Sequence, residues 1–221
     1  MSHQIAEAML LQSGGTMDAR RTSLGDRIVD AWKDMRASTE RLIAENPSEH
    51  RLLFYVLLSD IIFFLSWALK TVVAPVSGVK AQVPLEIGIW LIAALMLRTA
   101  SMYGFSAIVT AFVRLFGGTG SWRANRAGIF WGALVAAPFG FLMAAVTVSM
   151  SWLEPMFPIL REDWIALPPY WISLVPFLWF ISQGVAQANG FRKNAAVFLA
   201  MSGVALALML VAMYLRKIGV L

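Results

Sequence analysis

Residues 51–73 read RLLFYVLLSDIIFFLSWALKTVV. Only Arg51, Asp60 and Lys70 carry charge in this run. A helix needs about 20 mostly apolar residues to cross a ~30 Å hydrocarbon core, and this run supplies them. Similar runs follow at about 85–116, 127–150, 170–188 and 194–215. Closely spaced runs of this length predict an all-α, polytopic transmembrane helical bundle with five spans. The chain divides into a polar N-terminal extension, residues 1–46, and a membrane domain, residues 47–221.

The charge distribution agrees. Only 14% of the 221 residues are charged and the mean hydropathy is +0.69, where a soluble domain carries about a quarter charged residues. Residues 1–51 hold seven Lys/Arg and eight Asp/Glu, and the rest hold eleven and five. The net charge of +5 does not point to nucleic acid, because the basic excess lies at span ends. Met1 to Arg51 has no basic segment followed by an apolar core and a cleavage site, so the first span is expected to direct insertion.

Orientation follows from the loops. Arg36, Arg41 and Arg51 precede the first span, Arg114, Arg123 and Arg126 flank the second loop, and Arg192 and Lys193 fill the fourth. The third loop is acidic, with Glu154, Glu162 and Asp163 against Arg161, and the first has only Lys80. The N-terminus is therefore expected on the cytoplasmic side of the inner membrane. Arg216 and Lys217, which would then lie outside, run against this order. Trp152, Trp164 and Trp171 fall where an outer aromatic belt belongs.

Before the first span, Leu24, Ile28, Trp32, Met35 and Leu42 recur at helical spacing. This predicts one amphipathic helix over about 23–45, with Ser23 and Asp26 forming a capping box. Such a helix lies on lipid, packs on its own protein, or binds a partner. In "NPSEH", Asn46 is expected as the next N-cap, with Pro47 at the first helical position.

Within the spans, the polar residues are Asp60, Arg98, Gln183 and Gln187. Counting inward from Arg51 and Arg114 puts Asp60 about 13 Å deep and Arg98 about 24 Å along its helix. Arg98 and Lys70 then read first as outer-edge anchors. An Asp60–Arg98 pair requires tilt or bending, because Arg98 lies about 10 Å higher. The other reading for Asp60 is a protonated or water-contacted carboxyl facing the bundle. Gln183 and Gln187 share a face and suit interhelical bonds or a small polar pocket.

Gly128, Gly132, Ala136, Gly140 and Ala144 recur every fourth residue, making a ridge of small side chains for close helix packing. Pro138 sits on another face. Arg114, Arg123 and Arg126, beside the "GGTGS" turn, are candidate contacts for anionic lipid head groups. Cysteine is absent and the only histidines, His3 and His50, lie outside the spans. No nucleophile motif, zinc motif or phosphate loop is present, so no catalytic residue, cofactor or metal ligand is expected.

Three stretches carry a resemblance: "RLIAENPSEHRLLFYVLLSDIIFFLSWALK" at 41–70, "FGGTGSW" at 116–122 and "GALVAAPFGFL" at 132–142. With five close-set spans, they resemble the Yip (Ypt-interacting protein) domain family in its bacterial form, over roughly residues 36–215. Eukaryotic members carry a "DLYGP"-like motif that this chain lacks, so no GTPase partner carries over. The resemblance implies a membrane-embedded helical domain without assigned chemistry. The expected function is a non-enzymatic inner-membrane scaffold or accessory protein. Its expected partners are membrane lipids and a membrane-protein partner or second copy. The alternative is a small transporter or channel component using Asp60 and the span-four amides.

Overall fold

The computed structural model describes residues 23–73, 86–162, 165, 169 and 172–218. Among these residues there are seven α-helices and no strand: α1 Leu24–Lys33, α2 Met35–Ala44, α3 Glu49–Val73, α4 Glu86–Leu115, α5 Trp122–Leu153, α6 Leu174–Ala188 and α7 Ala195–Lys217. A 3-10 turn, Pro158–Arg161, follows α5. The loop at 74–84 with Lys80, and Asp163, Trp164 and Trp171, lie outside the described residues.

The single helix expected over 23–45 is two. Ser23 and Asp26 do form the capping box, with Ser23 Oγ accepting from the Asp26 N–H at 3.1 Å. Asp34 then takes an extended conformation (φ −145°, ψ 92°), and its carboxylate accepts from the Ala37 N–H at 2.9 Å. The same residue thus ends α1 and caps α2, as an aspartate side chain readily does. "NPSEH" also departs from expectation. Asn46 is left-handed (φ 47°), and its N–H bonds back to the Ile43 carbonyl at 3.0 Å. It terminates α2, a role Asn tolerates. Ser48 caps α3 instead, its hydroxyl accepting from the Arg51 N–H at 3.3 Å.

The α1–α2 pair is packed on its own protein. Ala31, Met35 and Leu42 are fully buried. Trp131 of α5 donates its indole N–H to Ser38 Oγ at 3.1 Å, and its ring lies 5.1 Å from Tyr55 of α3. Trp32 donates to the Val135 carbonyl at 2.9 Å. Pro138 has no N–H to give Leu134, so the helix's own hydrogen bonding is interrupted beside the point where Trp32 docks. α5 is the centre of the molecule, with α3 and α6 on it and the N-terminal pair packed along it from Trp131 to Phe139.

Three helical stretches are long and apolar enough to cross a membrane: Glu49–Lys70, Ile92–Leu115 and Trp122–Leu153. α6 has 15 residues, roughly 22 Å of helix, shorter than a ~30 Å core. α5 starts at Trp122, earlier than expected, because the Ser121 hydroxyl caps it on the Ala124 N–H at 3.1 Å.

Candidate functional site

The ridge of small residues meets a matching glycine. A Cβ on Gly128 would lie 2.6 Å from the Gly184 carbonyl oxygen, and one on Gly132 would lie 2.9 Å from the backbone of Ile181. α5 and α6 therefore touch backbone to backbone. Ala136 and Ala144 are buried, whereas a Cβ on Gly140 would meet nothing within 4 Å.

The "GGTGS" turn locks onto the end of α6. Asn189 Nδ2 donates to Asn125 Oδ1 at 2.6 Å and to the Val185 carbonyl at 2.8 Å, and Asn189 Oδ1 accepts from the Gly120 N–H at 3.1 Å. Gly118 and Gly120 are required there, because a Cβ on either would sit 2.7 Å from Asn189 Oδ1. The two asparagines are a buried polar lock that the sequence did not single out. Its only signal was a pair of amides at the edges of two spans.

Arg36 closes the same end. It donates from Nε to Gln187 Oε1 at 3.1 Å, from Nη1 to the Arg192 carbonyl at 2.9 Å and from Nη2 to the Phe191 carbonyl at 2.7 Å. These carbonyls lie in the loop just past α6, so Arg36 ties the N-terminal pair to that loop as well as to Gln187 of the helix. The expected head-group arginines are drawn into this structure too. Arg123 donates to the Pro47 carbonyl at 2.6 Å, Arg126 pairs with Glu49, and Arg114 lies over the Trp122 ring at 4.9 Å. Nearby, Glu45 is 3.0 Å from Arg27 and 2.7 Å from Arg51. Burial pushes the Glu45 carboxyl up, but the hydrogen bonds and charges of Arg27 and Arg51 together outweigh that and hold it below its ordinary value.

The candidate site lies inside the apolar stretches of α3 and α4. Asp60 is fully buried. Arg98 Nε lies 3.0 Å from Asp60 Oδ1, and Thr99 Oγ1 donates to Asp60 Oδ2 at 2.8 Å. The Arg98 guanidinium stands 4.0 Å above the Phe63 ring. The ionic approach is close but poorly aligned for hydrogen bonding, so Asp60 Oδ1 and Arg98 Nη1 are buried without a hydrogen-bond partner. The sequence count set Arg98 about 10 Å above Asp60 and read it first as an anchor. The short Thr99 side chain instead puts positions 60 and 99 at one level. The count treated Arg51 and Arg114 as one plane, but Thr99 is fifteen residues from Arg114 and Asp60 nine from Arg51, so α4 extends roughly 9 Å further.

Two cavities border the pair. One of about 630 Å³ lies between α3 and α4, walled by Phe63, Phe64, Trp67, Leu95 and Leu97, with Asp60 and Arg98. The other, about 300 Å³, lies between α3, α5 and α6 and includes Ser59, Ser66, Lys70, Arg98, Gly140 and Ser173. Arg98, Phe63 and Trp67 belong to both. Lys70 and Arg98 thus share a cavity. Gln183 and Gln187 line neither; Gln187 is engaged by Arg36. Among the described residues, no three of His, Cys, Asp and Glu come together as a metal site.

These features define an all-helical bundle with three helices fit to cross a membrane and a buried ion pair between two of them. Comparison with family models, curated proteins and solved structures finds no match.

Proposed function

We propose that the chain is a non-enzymatic, multi-pass protein of the bacterial inner membrane, acting as a scaffold or accessory subunit through helix and lipid contacts. In this reading α3 to α7 are its five spans and the N-terminal pair is cytoplasmic. The gathering of Arg36, Arg123, Arg126 and Arg192 at one end supports that orientation. The stretches that resemble the Yip family contain the Gly118–Gly120 turn and the Pro138 region. Their use in locking the bundle supports a shared architecture.

One observation carries the reading. α5 and α6 pack backbone to backbone on each other, whereas α3, with Phe54, Ile61, Phe63, Leu65 and Trp67, and above all α4 and α7 present broad exposed apolar faces. On α4 these include Ile92, Met96, Leu97, Ile108 and Leu115, all more than 60% exposed. Such faces suit lipid or a partner helix. The transporter alternative needed Gln183 and Gln187 beside Asp60, and the separation of these groups favours the accessory reading.

The test is purification of the tagged protein from native membranes in mild detergent. A co-purifying membrane protein at fixed ratio, lost on Met96→Ala/Ile108→Ala, is the expected result. A lone protein that supports Asp60-dependent flux in liposomes overturns the reading.

A further inference from the structure

We propose that the larger cavity, the cleft between α3 and α4, binds a neutral, lipid-soluble molecule through a carbonyl oxygen that accepts from Arg98. The site rests on the membrane reading above and adds a ligand to it.

The cleft has a volume of about 630 Å³, within the range of ligand sites, roughly 300–1,000 Å³. Its described walls are apolar except for Asp60, Arg98 and Ser101. Phe63, Trp67 and Leu97 line it and are each more than half exposed. The cleft is therefore open along the outer surface of the two helices. In a membrane that surface faces hydrocarbon, so the molecules that reach it are those dissolved in lipid.

The polar groups decide what such a molecule must carry. Asp60 is fully buried, whereas the Arg98 side chain is 23% exposed, so the cation is the member of the pair within reach. Arg98 Nη1 has no hydrogen-bond partner, and an unmet buried donor is costly until something accepts from it. Ser101 gives its hydroxyl hydrogen to the Leu97 carbonyl at 2.7 Å. The guanidinium is thus the donor that the cleft offers.

Charge argues against an anion. Among the described residues lining the cleft, Asp60 and Arg98 carry the charge, and they cancel. A carboxylate or phosphate would add a negative charge without a counter-ion inside an apolar stretch, which is costly. A carbonyl oxygen accepts without adding charge. Two kinds of lipid-soluble molecule carry one: isoprenoid quinones and the esters of diacylglycerol. Phe63, Phe64 and Trp67 on one wall favour the quinone, whose flat ring can pack against aromatic side chains.

The test uses full-length protein in a maltoside detergent, observed by native mass spectrometry. The probes are decyl-ubiquinone, dioctanoylglycerol, dodecanoate and an alkylbenzene without a carbonyl. The quinone should be retained about tenfold over the alkylbenzene and over dodecanoate, the margin expected of a hydrogen bond to a charged donor. Ala94 is exposed and lines the cleft. Ala94→Phe fills the space with the ion pair intact, and should abolish quinone retention without lowering the melting temperature. Arg98 is left in place because its removal strands Asp60. Equal retention of quinone and alkylbenzene by the wild type overturns the proposal. So does a preference for dodecanoate, which would mark an anion site, or undiminished retention by Ala94→Phe, which would place the ligand elsewhere. Dioctanoylglycerol retained above the quinone keeps the carbonyl site and assigns it to a glycerolipid ester. Carbonate extraction tests the membrane reading separately: protein that stays in the membrane pellet yet shows no carbonyl preference loses the site and keeps the membrane assignment.

Discussion

Gly128 and Gly184 cross so closely that a methyl group on Gly128 would lie 2.6 Å from the Gly184 carbonyl oxygen. Backbone cannot yield as a flexible side chain does. Gly128→Ala should therefore destabilise the bundle by about 1–3 kcal/mol, the usual cost of overpacking. Gly140→Ala, on the same ridge, should be neutral or slightly stabilising, since replacing a helical glycine gains up to ~1 kcal/mol. Thermal melting in detergent compares the two. Equal effects would mean that the ridge is not in contact with α6.

Asp60 and Arg98 give a second test. Removing one member of a buried pair costs about 3–5 kcal/mol, because the other charge is left uncompensated. Arg98→Met alone should lower the melting point more than the double change Asp60→Asn/Arg98→Met. A double-mutant cycle measures the coupling. If the two single effects simply add, the 3.0 Å contact contributes nothing.

Asn189 serves three partners at the end of α6. Asn189→Leu leaves Asn125 Oδ1 and the Gly120 N–H unmet in a buried place. The expected loss is about 1–3 kcal/mol for each orphaned group that water cannot reach. Hydrogen exchange should locate the damage in the 117–125 turn rather than at the Asp60 end.

The N-terminal pair depends on Arg36, whose guanidinium bonds to Gln187, Phe191 and Arg192. Arg36→Ala should loosen α1–α2 from α5 and expose Trp131. Limited proteolysis should then cut between residues 23 and 46 faster than in the wild type. Unchanged cutting would show that Trp32 and Trp131 hold the pair without it.

Acid should act on the same region through Glu45. Its folded-state pKa is depressed below 4.5 by Arg27 and Arg51 acting against burial. The pair's contribution is therefore present above the unfolded value and lost as pH falls through the folded one. Glu45 is partly exposed, so screening keeps the effect small. Hydrogen exchange at the end of α2 should quicken between about pH 5 and pH 3, and Glu45→Gln should flatten that response.

The sequence by itself determined the helices and the class of bundle. Apolar run length is a local property, and each run from 51–73 onward became a helix near its expected limits. Capping was partly legible: Ser23 and Asp26 behaved as read, but Asn46 gave way to Ser48 because the choice depends on where the preceding helix stops. The tertiary structure alone decided which faces meet. The four-residue ridge announced close packing, yet only the crossing with Gly184 separated Gly132, which is in contact, from Gly140, which borders a cavity. Asp60 and Arg98 were visible as costly charges. Their pairing depended on the relative axial shift of α3 and α4, which neither helix encodes alone. The asparagine lock and the burial of the N-terminal pair arise likewise from contacts between distant segments, which local periodicity does not register.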